Sequence, residues 1–174
     1  MKSRIGIHSA PRSGSTWLGS IFDSHPHVVY KFQPFFSYAF KDYLTPESSK
    51  KDISDFFKKL ESTKDEFLDQ KVAKKNNKIP QFGKTEAKAI VYKEVRYHHL
   101  LENMLEKENE LKVIGLVRNP LAVINSWIKA PKEFKKELGW KIRDEWRYAP
   151  SKNTNKPEEF NGYEKWKEVA FLFE

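Results

Sequence analysis

The chain has 174 residues, enough for one domain with a hydrophobic core of its own. It contains no cysteine, which excludes disulfides, thiolate metal sites and thiol catalysis. Its 32 Lys and Arg residues against 24 Asp and Glu residues give a net charge of +8, which suits a polyanionic partner. The sequence has neither a signal peptide nor the ~20 consecutive apolar residues that span a bilayer, so we expect a cytoplasmic protein.

The segment from residue 5 to residue 17 predicts a buried strand, a tight basic loop and the start of a helix. Ile5 and Ile7 suit a strand that is buried on both faces, and the residues from Pro11 to Gly14 favour a turn. An apolar face then continues at helical spacing to about Ser24. The sequence therefore predicts a strand, a loop and a helix in direct succession.

The loop of this unit has the chemistry of a phosphate-binding site. The first helical turn, at Ser15 and Thr16, exposes unpaired backbone N–H groups whose partial positive charge favours an anion. Arg12 adds a full positive charge beside Ser13 and Gly14. The loop lacks the lysine and the spacing of a nucleoside triphosphate loop, GxxxxGK followed by Ser or Thr, so its phosphate contacts must differ. A Ser- and Gly-rich turn that caps a core helix is the alternative interpretation.

The next strand, over residues 28–32, is followed by two predicted helices. Thr45 with Pro46 has the form of a cap and a first-turn proline, and apolar residues then recur at helical spacing. Thr63 with Glu66 has the form of a capping box and predicts a second, short helix.

Two further strands are predicted over residues 89–95 and 112–117, each followed by a helix, at residues 99–108 and 121–128. Strands that alternate with helices predict an α/β fold with a mostly parallel sheet of at least four strands, covered by helices on both faces. The helix after the last strand is apolar nearly all round, so we expect it to be buried.

Ligands bind at the carboxyl ends of the strands in sheets of this kind. The polar residues that follow the predicted strands are Ser9 to Gly14, Gln33, Lys93 to Arg96 and Arg118. We therefore expect these residues to converge on one edge of the sheet.

The chain becomes irregular from Pro131 to Pro157, where several aromatic residues stand among many charges. This segment is either an acceptor-binding lid or a long excursion whose aromatic residues anchor it to the core. Asn161 with Glu164 predicts the cap of a last helix, and the sequence stops inside that helix. We expect residues 1–174 to form a single domain that is incomplete at its C-terminus.

Two motifs resemble those of one enzyme family. The sequence PRSGSTW, at residues 11–17, is similar to the 5′-phosphosulfate loop of sulfotransferases that use 3′-phosphoadenosine-5′-phosphosulfate (PAPS). Arg118, Pro120 and Ser126 have the form RxPxxxxxS, which resembles the 3′-phosphate motif of the same family. In motif form the chain is most similar to carbohydrate, tyrosyl-protein and bacterial sulfotransferases, and the resemblance extends from residue 4 to about residue 130. It implies a three-layer sandwich like that of P-loop NTPases.

The resemblance implies a role for each residue of the two motifs. Arg12 and the loop from Ser13 to Thr16 would hold the 5′ side of PAPS, and Trp17 would contact the adenine unless it belongs to the core. Arg118 and Ser126 would bind the 3′-phosphate, since an arginine and a hydroxyl at this spacing can share one phosphate.

The catalytic base is the point at which this sequence departs from the family. Carbohydrate and tyrosyl-protein sulfotransferases carry a glutamate near the position of Gln33, and glutamine cannot accept a proton at neutral pH. Gln33 would then position the acceptor. Lys93 matches the third-strand lysine that helps to hold the transferring sulfonate. Glu94 is our first choice for the base, although alternation in a regular strand puts it on the opposite face from Lys93.

The resemblance implies transfer of a sulfonate group from PAPS to an acceptor hydroxyl or amine, with 3′,5′-bisphosphoadenosine (PAP) as the product and without a metal. A sugar is the leading acceptor class, followed by a protein tyrosine or a small alcohol, and we expect no nucleic-acid partner. The alternatives are a nucleotide-binding protein without catalysis, a basic nucleic-acid binder, and a nucleoside or nucleotide kinase. A kinase would need a phosphate-loop lysine and usually a magnesium carboxylate, and the sequence shows neither.

Overall fold

The computed structural model of the protein describes residues 2–154 and 156–174. Its strands, β1 to β4, are Ser3–Ser9, Val28–Phe32, Ala89–Glu94 and Leu111–Leu116. Its α-helices, α1 to α7, are Ser15–Ser24, Lys50–Ser62, Lys71–Lys75, Leu101–Lys107, Pro120–Ile128, Ile142–Glu145 and Gly162–Phe171. Short 3₁₀ helices occupy Pro34–Phe36, His98–Leu100 and Lys136–Leu138. Within these described residues, no helix is long and apolar enough to cross a membrane.

All four strands run parallel, in the order β2, β3, β1, β4. β1 lies between β3 and β4, with Ile7 opposite both Lys93 and Ile114. The carboxyl ends of β1, β3 and β4 therefore lie side by side, and the chain leaves all three strands at one edge of the sheet. The predicted α/β fold with a parallel sheet of four strands is confirmed.

Helices cover both faces of the sheet because the side chains of each buried strand alternate between the faces. Val91 of β3 points to one face, where it joins Ile7 of β1 and packs with Leu18 and Phe22 of α1. Tyr92, the next residue, points to the other face. The core on that face includes Ile53, Phe56, Phe57 and Leu60 of α2 and Met104 of α4. This arrangement is the three-layer sandwich that the sequence predicted.

The start of α2 differs from the predicted one. Thr45 lies in a turn, where its carbonyl accepts a hydrogen bond from the N–H of Ser48, so Thr45 and Pro46 do not begin the helix. Ser49 caps it instead, because its hydroxyl accepts from the N–H of Asp52 and the Asp52 carboxylate accepts from the N–H of Ser49 at 2.8 Å. This reciprocal pair satisfies two backbone donors at once, which a single threonine hydroxyl cannot do.

The capping box predicted at Thr63 and Glu66 is also wrong. Thr63 follows the last turn of α2, where its N–H bonds to a carbonyl of that helix. The carboxylate of Asp65 accepts from the N–H groups of Phe67 and Leu68, each at 2.9 Å. The aspartate therefore forms a turn here, and the short helix α3 begins only afterwards.

Helix α5 is buried on one side only, which corrects the expectation of burial all round. Trp127 is buried, whereas Leu121 is 79% exposed. The buried side of α5 packs against Phe134 from the irregular segment, whose ring meets the Trp127 ring edge-on at 5.2 Å. Phe134 thus anchors the segment to α5, while Tyr148 of the same segment is exposed.

Gly19 of α1 lies where Tyr30 of β2 packs against the helix. A Cβ at position 19 would lie 2.2 Å from the Tyr30 hydroxyl and 2.5 Å from its ring carbon Cζ. The ring is buried, so it has little room to move. We expect Gly19→Ala to lower the free energy of unfolding by about 1 to 3 kcal/mol, although alanine is the better helix former.

Urea unfolding would measure this change, with Ser20→Ala in the same helical turn as the control. We expect the control to stay within about 0.5 kcal/mol of the wild type because Ser20 is not in the core. A Gly19→Ala variant that is more stable than the wild type would contradict the close approach of Tyr30.

Candidate active site

A cleft of about 540 Å³ opens at the carboxyl ends of the strands. This volume lies within the range of roughly 300 to 1,000 Å³ that is usual for small-molecule sites. The residues that line it come from the loop after β1, the ends of β2 and β3 and the chain after them, Arg118 before α5, the last turn of α5 and the segment beyond α5. Those that the sequence singled out are Arg12, Gly14, Ser15, Thr16, Gln33, Lys93, Arg118 and Ser126. The structure brings them together around one opening.

The loop between β1 and α1 turns sharply because two of its residues adopt left-handed backbone conformations. Gly14 has a φ of 98° and Arg12 has a φ of 66°. Gly14 is the N-cap of α1, and because glycine has no side chain, it offers no acceptor to the N–H groups of the first turn. Ser15 and Thr16 of that turn line the cleft. The N-terminal end of α1 is therefore available to an anion.

The two sequence motifs meet through hydrogen bonds of Arg12. Its Nε donates to the Ser126 hydroxyl at 3.1 Å, and its carbonyl accepts from Nη1 of Arg118 at 3.0 Å. Asn119 caps α5 with its side-chain oxygen and so sets the helix that carries Ser126. Trp166 of α7 donates to the carbonyl of Arg118 at 2.9 Å. Both arginines and the hydroxyl line the same cleft.

Lys93 reaches the cleft from the end of β3. Its side chain is buried, and its Nζ lies 4.5 Å from the centre of the Phe32 ring. Burial, together with the positive charge of Arg96, lowers the pKa of Lys93 below the ordinary lysine value. Gln33 is held beside this strand end, because its N–H donates to the carbonyl of Lys93 at 2.8 Å. A lysine and an amide therefore flank each other in the cleft.

Glu94 does not line the cleft. The side chain is fully buried, and its Oε1 accepts from the N–H of Phe35 at 2.8 Å. Burial raises the pKa of this carboxyl above the ordinary value. A base must come within hydrogen-bond reach of the proton that it removes. Strand alternation keeps Glu94 away from the cleft into which Lys93 points, which corrects the choice of Glu94 as base and leaves it a structural contact to the 3₁₀ helix after Gln33.

Trp17 and Ser13 belong to the predicted loop but do not line the cleft. Trp17 is 71% exposed, so it is a surface residue next to the loop and not part of the core. The Ser13 hydroxyl is buried and has no hydrogen-bond partner among the described residues. Buried polar groups without a partner are rare, which sets this turn apart from an ordinary helix cap.

The cleft also contains two residues to which the sequence assigned no role, although Arg96 was expected at this edge of the sheet. Arg96 lies between two rings, with its Cζ 4.1 Å from the ring centre of Phe36 and 3.9 Å from that of Phe160. Glu133 comes from the irregular segment and forms an ion pair with Lys152. No periodicity or motif marks these residues, because their contacts join parts of the chain that are distant in sequence.

One comparison with known proteins decides the family. The family model of the sulfotransferase domain matches residues 2–170 of the chain. The chain belongs to the sulfotransferase family. Among curated proteins, none matches the sequence significantly. The family that the two motifs predicted is confirmed, and with it sulfotransfer as the general class of activity.

The sulfotransferase cleft is strongly positive. Arg12, Lys93, Arg96 and Arg118 line it, and of the described residues around it, only Glu133 carries a carboxylate. Within residues 2–154 and 156–174, no three His, Asp or Glu side chains come together as a metal site. Four cations in one cleft suit a ligand with several negative charges.

Glu94→Gln tests the structural role of the buried carboxyl. Because burial raises the pKa of Glu94, the folded sulfotransferase keeps this proton at pH values where the unfolded chain, with the ordinary value of 4.5, has lost it. The stability that protonated Glu94 contributes is therefore full below the ordinary value and is lost as the pH rises through the raised value. Glutamine keeps an acceptor for the Phe35 N–H and does not titrate.

As the pH rises from about 5 to 8, we therefore expect the free energy of unfolding to fall less in Glu94→Gln than in the wild type. Urea unfolding at several pH values measures both profiles. Parallel profiles for the two proteins would show that Glu94 is not protonated in the folded state.

Proposed function

We propose that this sulfotransferase uses PAPS as its donor and transfers the sulfonate group to an acceptor hydroxyl or amine. The observation that carries the proposal is the hydrogen-bonded contact of Arg12 with Ser126 and Arg118, which joins the loop motif to the motif at α5. A nucleotide with charged groups at both its 5′ and 3′ positions offers one charged group to each motif. An ordinary adenylate has no 3′-phosphate for the second motif to bind.

The roles of the cleft residues follow from their chemistry. The first-turn N–H groups of α1 and the guanidinium of Arg12 would hold the 5′-phosphate, and Lys93 would hold the transferring sulfonate. Arg118 and Ser126 would bind the 3′-phosphate, the arginine through charge-assisted hydrogen bonds. Trp17, exposed beside the loop, would present its ring to the adenine.

PAPS supplies an activated sulfonate whose transfer breaks the bond between sulfur and the bridging oxygen of the 5′-phosphate. Arg12 and Lys93, with the loop N–H groups, would stabilise the negative charge that grows on that oxygen. Lys93 does this only while it is protonated. Because its pKa is lowered, its contribution is lost at a lower pH, as the pH rises, than that of an ordinary lysine.

The acceptor must lose a proton, and we assign its removal to Glu133. Gln33 lies in the cleft, but its amide can only donate and accept hydrogen bonds, so it would orient the acceptor. Glu133 supplies the carboxylate of the same cleft and is held by its ion pair with Lys152. A carboxylate at this place can act as a general base where the amide cannot.

A carbohydrate is the acceptor class that we favour, ahead of a protein tyrosine or a small alcohol. Phe36 is 44% exposed and lines the cleft together with Gln33. An aromatic face near an amide suits a sugar, because the ring packs on its apolar side and the amide bonds its hydroxyls.

Calorimetric titration of PAP and of adenosine 5′-phosphate tests the 3′-phosphate assignment. Arg118→Ala should weaken PAP by roughly tenfold to a hundredfold, because it removes a charge-assisted hydrogen bond, and should leave adenosine 5′-phosphate nearly unchanged. Ser126→Ala should weaken PAP by only about twofold to tenfold. Arg12→Ala should weaken both nucleotides, since it serves the 5′ side that they share. Equal weakening of the two nucleotides in Arg118→Ala would refute the assignment.

Thermal shifts of the wild type with three ligands test the class of function. PAP should raise the Tm more than ATP with magnesium, and a short RNA should leave the Tm unchanged, because only ligands that bind the folded state stabilise it. A larger shift with ATP and magnesium would favour a kinase, and a shift with RNA would favour a nucleic-acid binder.

Glu133→Gln tests the proposed base. With PAPS and a panel of an amino-sugar oligosaccharide, a tyrosine peptide and a simple alcohol, we expect turnover to fall by about 10²- to 10⁴-fold while PAP affinity is kept. Lys152→Met is the matched control, because it breaks the ion pair of Glu133 and leaves the carboxylate, so it should lose far less turnover. Equal losses in the two variants would show that Glu133 only anchors its segment.

A further inference from the structure

Arg96 is a guanidinium in the cleft that the protein leaves unpaired. Its Nε is buried without a hydrogen-bond partner, and its nitrogens form no ion pair with the described residues. Burial lowers the pKa of Arg96, although the charges of nearby acids, Glu133 first among them, oppose this shift. A buried N–H donor without a hydrogen-bond partner is costly, so folding alone does not explain this placement.

The two aromatic contacts of Arg96 hold the plane of its guanidinium. Phe36 and Phe160 lie about 4 Å from its Cζ, one from the 3₁₀ helix after β2 and the other from the chain just before α7. A stacked arginine keeps its planar fork of N–H donors at the edge of the stack, where it matches a carboxylate in two parallel hydrogen bonds. Arg96 is one of the residues that line the cleft, although its Nε is buried.

The acids around Arg96 do not use this fork. Glu133 is paired with Lys152, and Glu94 is buried and accepts from a backbone N–H. Glu158 acts on Arg96 only through its charge and, like Glu133, forms no ion pair with it in the described part of the chain. These acids therefore leave the guanidinium of Arg96 without a carboxylate partner among the described residues.

The donor does not need Arg96. The 5′ side of PAPS has Arg12, Lys93 and the loop N–H groups, and the 3′-phosphate has Arg118 and Ser126. Arg96 is a further cation in the same cleft, beyond those to which the donor groups are assigned, and its charge acts on Lys93.

We propose that Arg96 binds a carboxylate of the acceptor, so that this sulfotransferase acts on acidic acceptors, either a sugar acid or an aromatic acid. The inference rests on the proposed function, because it takes the second substrate of the cleft to be the acceptor of the sulfonate. It goes further because it assigns a negative charge to that substrate and names Arg96 as the residue that binds this charge.

Ligand-observed NMR on the PAP-saturated protein tests the inference with two isosteric pairs. Glucuronate against glucuronamide probes a sugar acid, and 4-hydroxybenzoate against 4-hydroxybenzamide probes an aromatic acid. In at least one pair the acid should bind about tenfold or more tightly than the amide, the preference expected of an arginine–carboxylate pair. The pair that shows the preference identifies the source of the carboxylate.

In the same titrations, Arg96→Gln should show no preference for the acid and should bind PAP within about twofold of the wild type. Arg96→Lys should keep part of it, since lysine keeps the charge and loses the planar fork. Arg143→Gln removes an exposed arginine that does not line the cleft, so it should change neither the PAP affinity nor the preference for the acid.

Three results would overturn the inference. The first is a wild type that binds PAP but prefers neither acid, which leaves the proposed function standing. The second is an Arg96→Gln variant that weakens PAP as much as the acid, which would move Arg96 to the donor. The third is a wild type that does not bind PAP, in which case the proposed function fails and the acceptor inference falls with it.

Discussion

The contact of Arg12 with Ser126 and Arg118 is the constraint on which the site depends. It joins a loop near the start of the chain to a helix more than a hundred residues later. The parallel sheet makes this contact possible, because β1 and β4 are neighbours and end together, with Ser9 opposite Leu116. Each strand then delivers one motif to the same edge, and helix α7 supports the second motif through Trp166.

Strand β3 serves the cleft and the core at once because its side chains alternate. Lys93 points into the cleft, where burial and the charge of Arg96 lower its pKa. Glu94 points away from the cleft, where it bonds the backbone of Phe35 and holds the chain that follows Gln33. The shape of the site around Gln33 therefore depends on a residue that does not face the site.

The irregular segment after α5 supplies more than an anchor. Phe134 fixes it against Trp127, and one residue earlier Glu133 brings a carboxylate into a cleft whose other charged residues, among those described, are cations. Lys152, near the other end of the segment, holds that carboxylate. Of the two interpretations that the sequence left open, the contact of Phe134 with Trp127 shows the anchored excursion, and the acceptor-binding lid stays a prediction.

The sequence by itself determined the four strands, the helices between most of them, the loop after β1 and both motifs, because apolar periodicity and turn residues act over a few positions. It misplaced the start of α2, because Ser49 competes with Thr45 as the cap and caps differ by only about 1 kcal/mol, and it misplaced the start of α3, because Asp65 forms a turn before that helix. Only the tertiary structure decided that Arg96 lies between two phenylalanines and that Glu133 lines the cleft, whereas strand alternation in the sequence already put Glu94 on the face opposite Lys93. Those outcomes depend on which distant segments pack together, and contacts between distant segments leave no local pattern in the sequence.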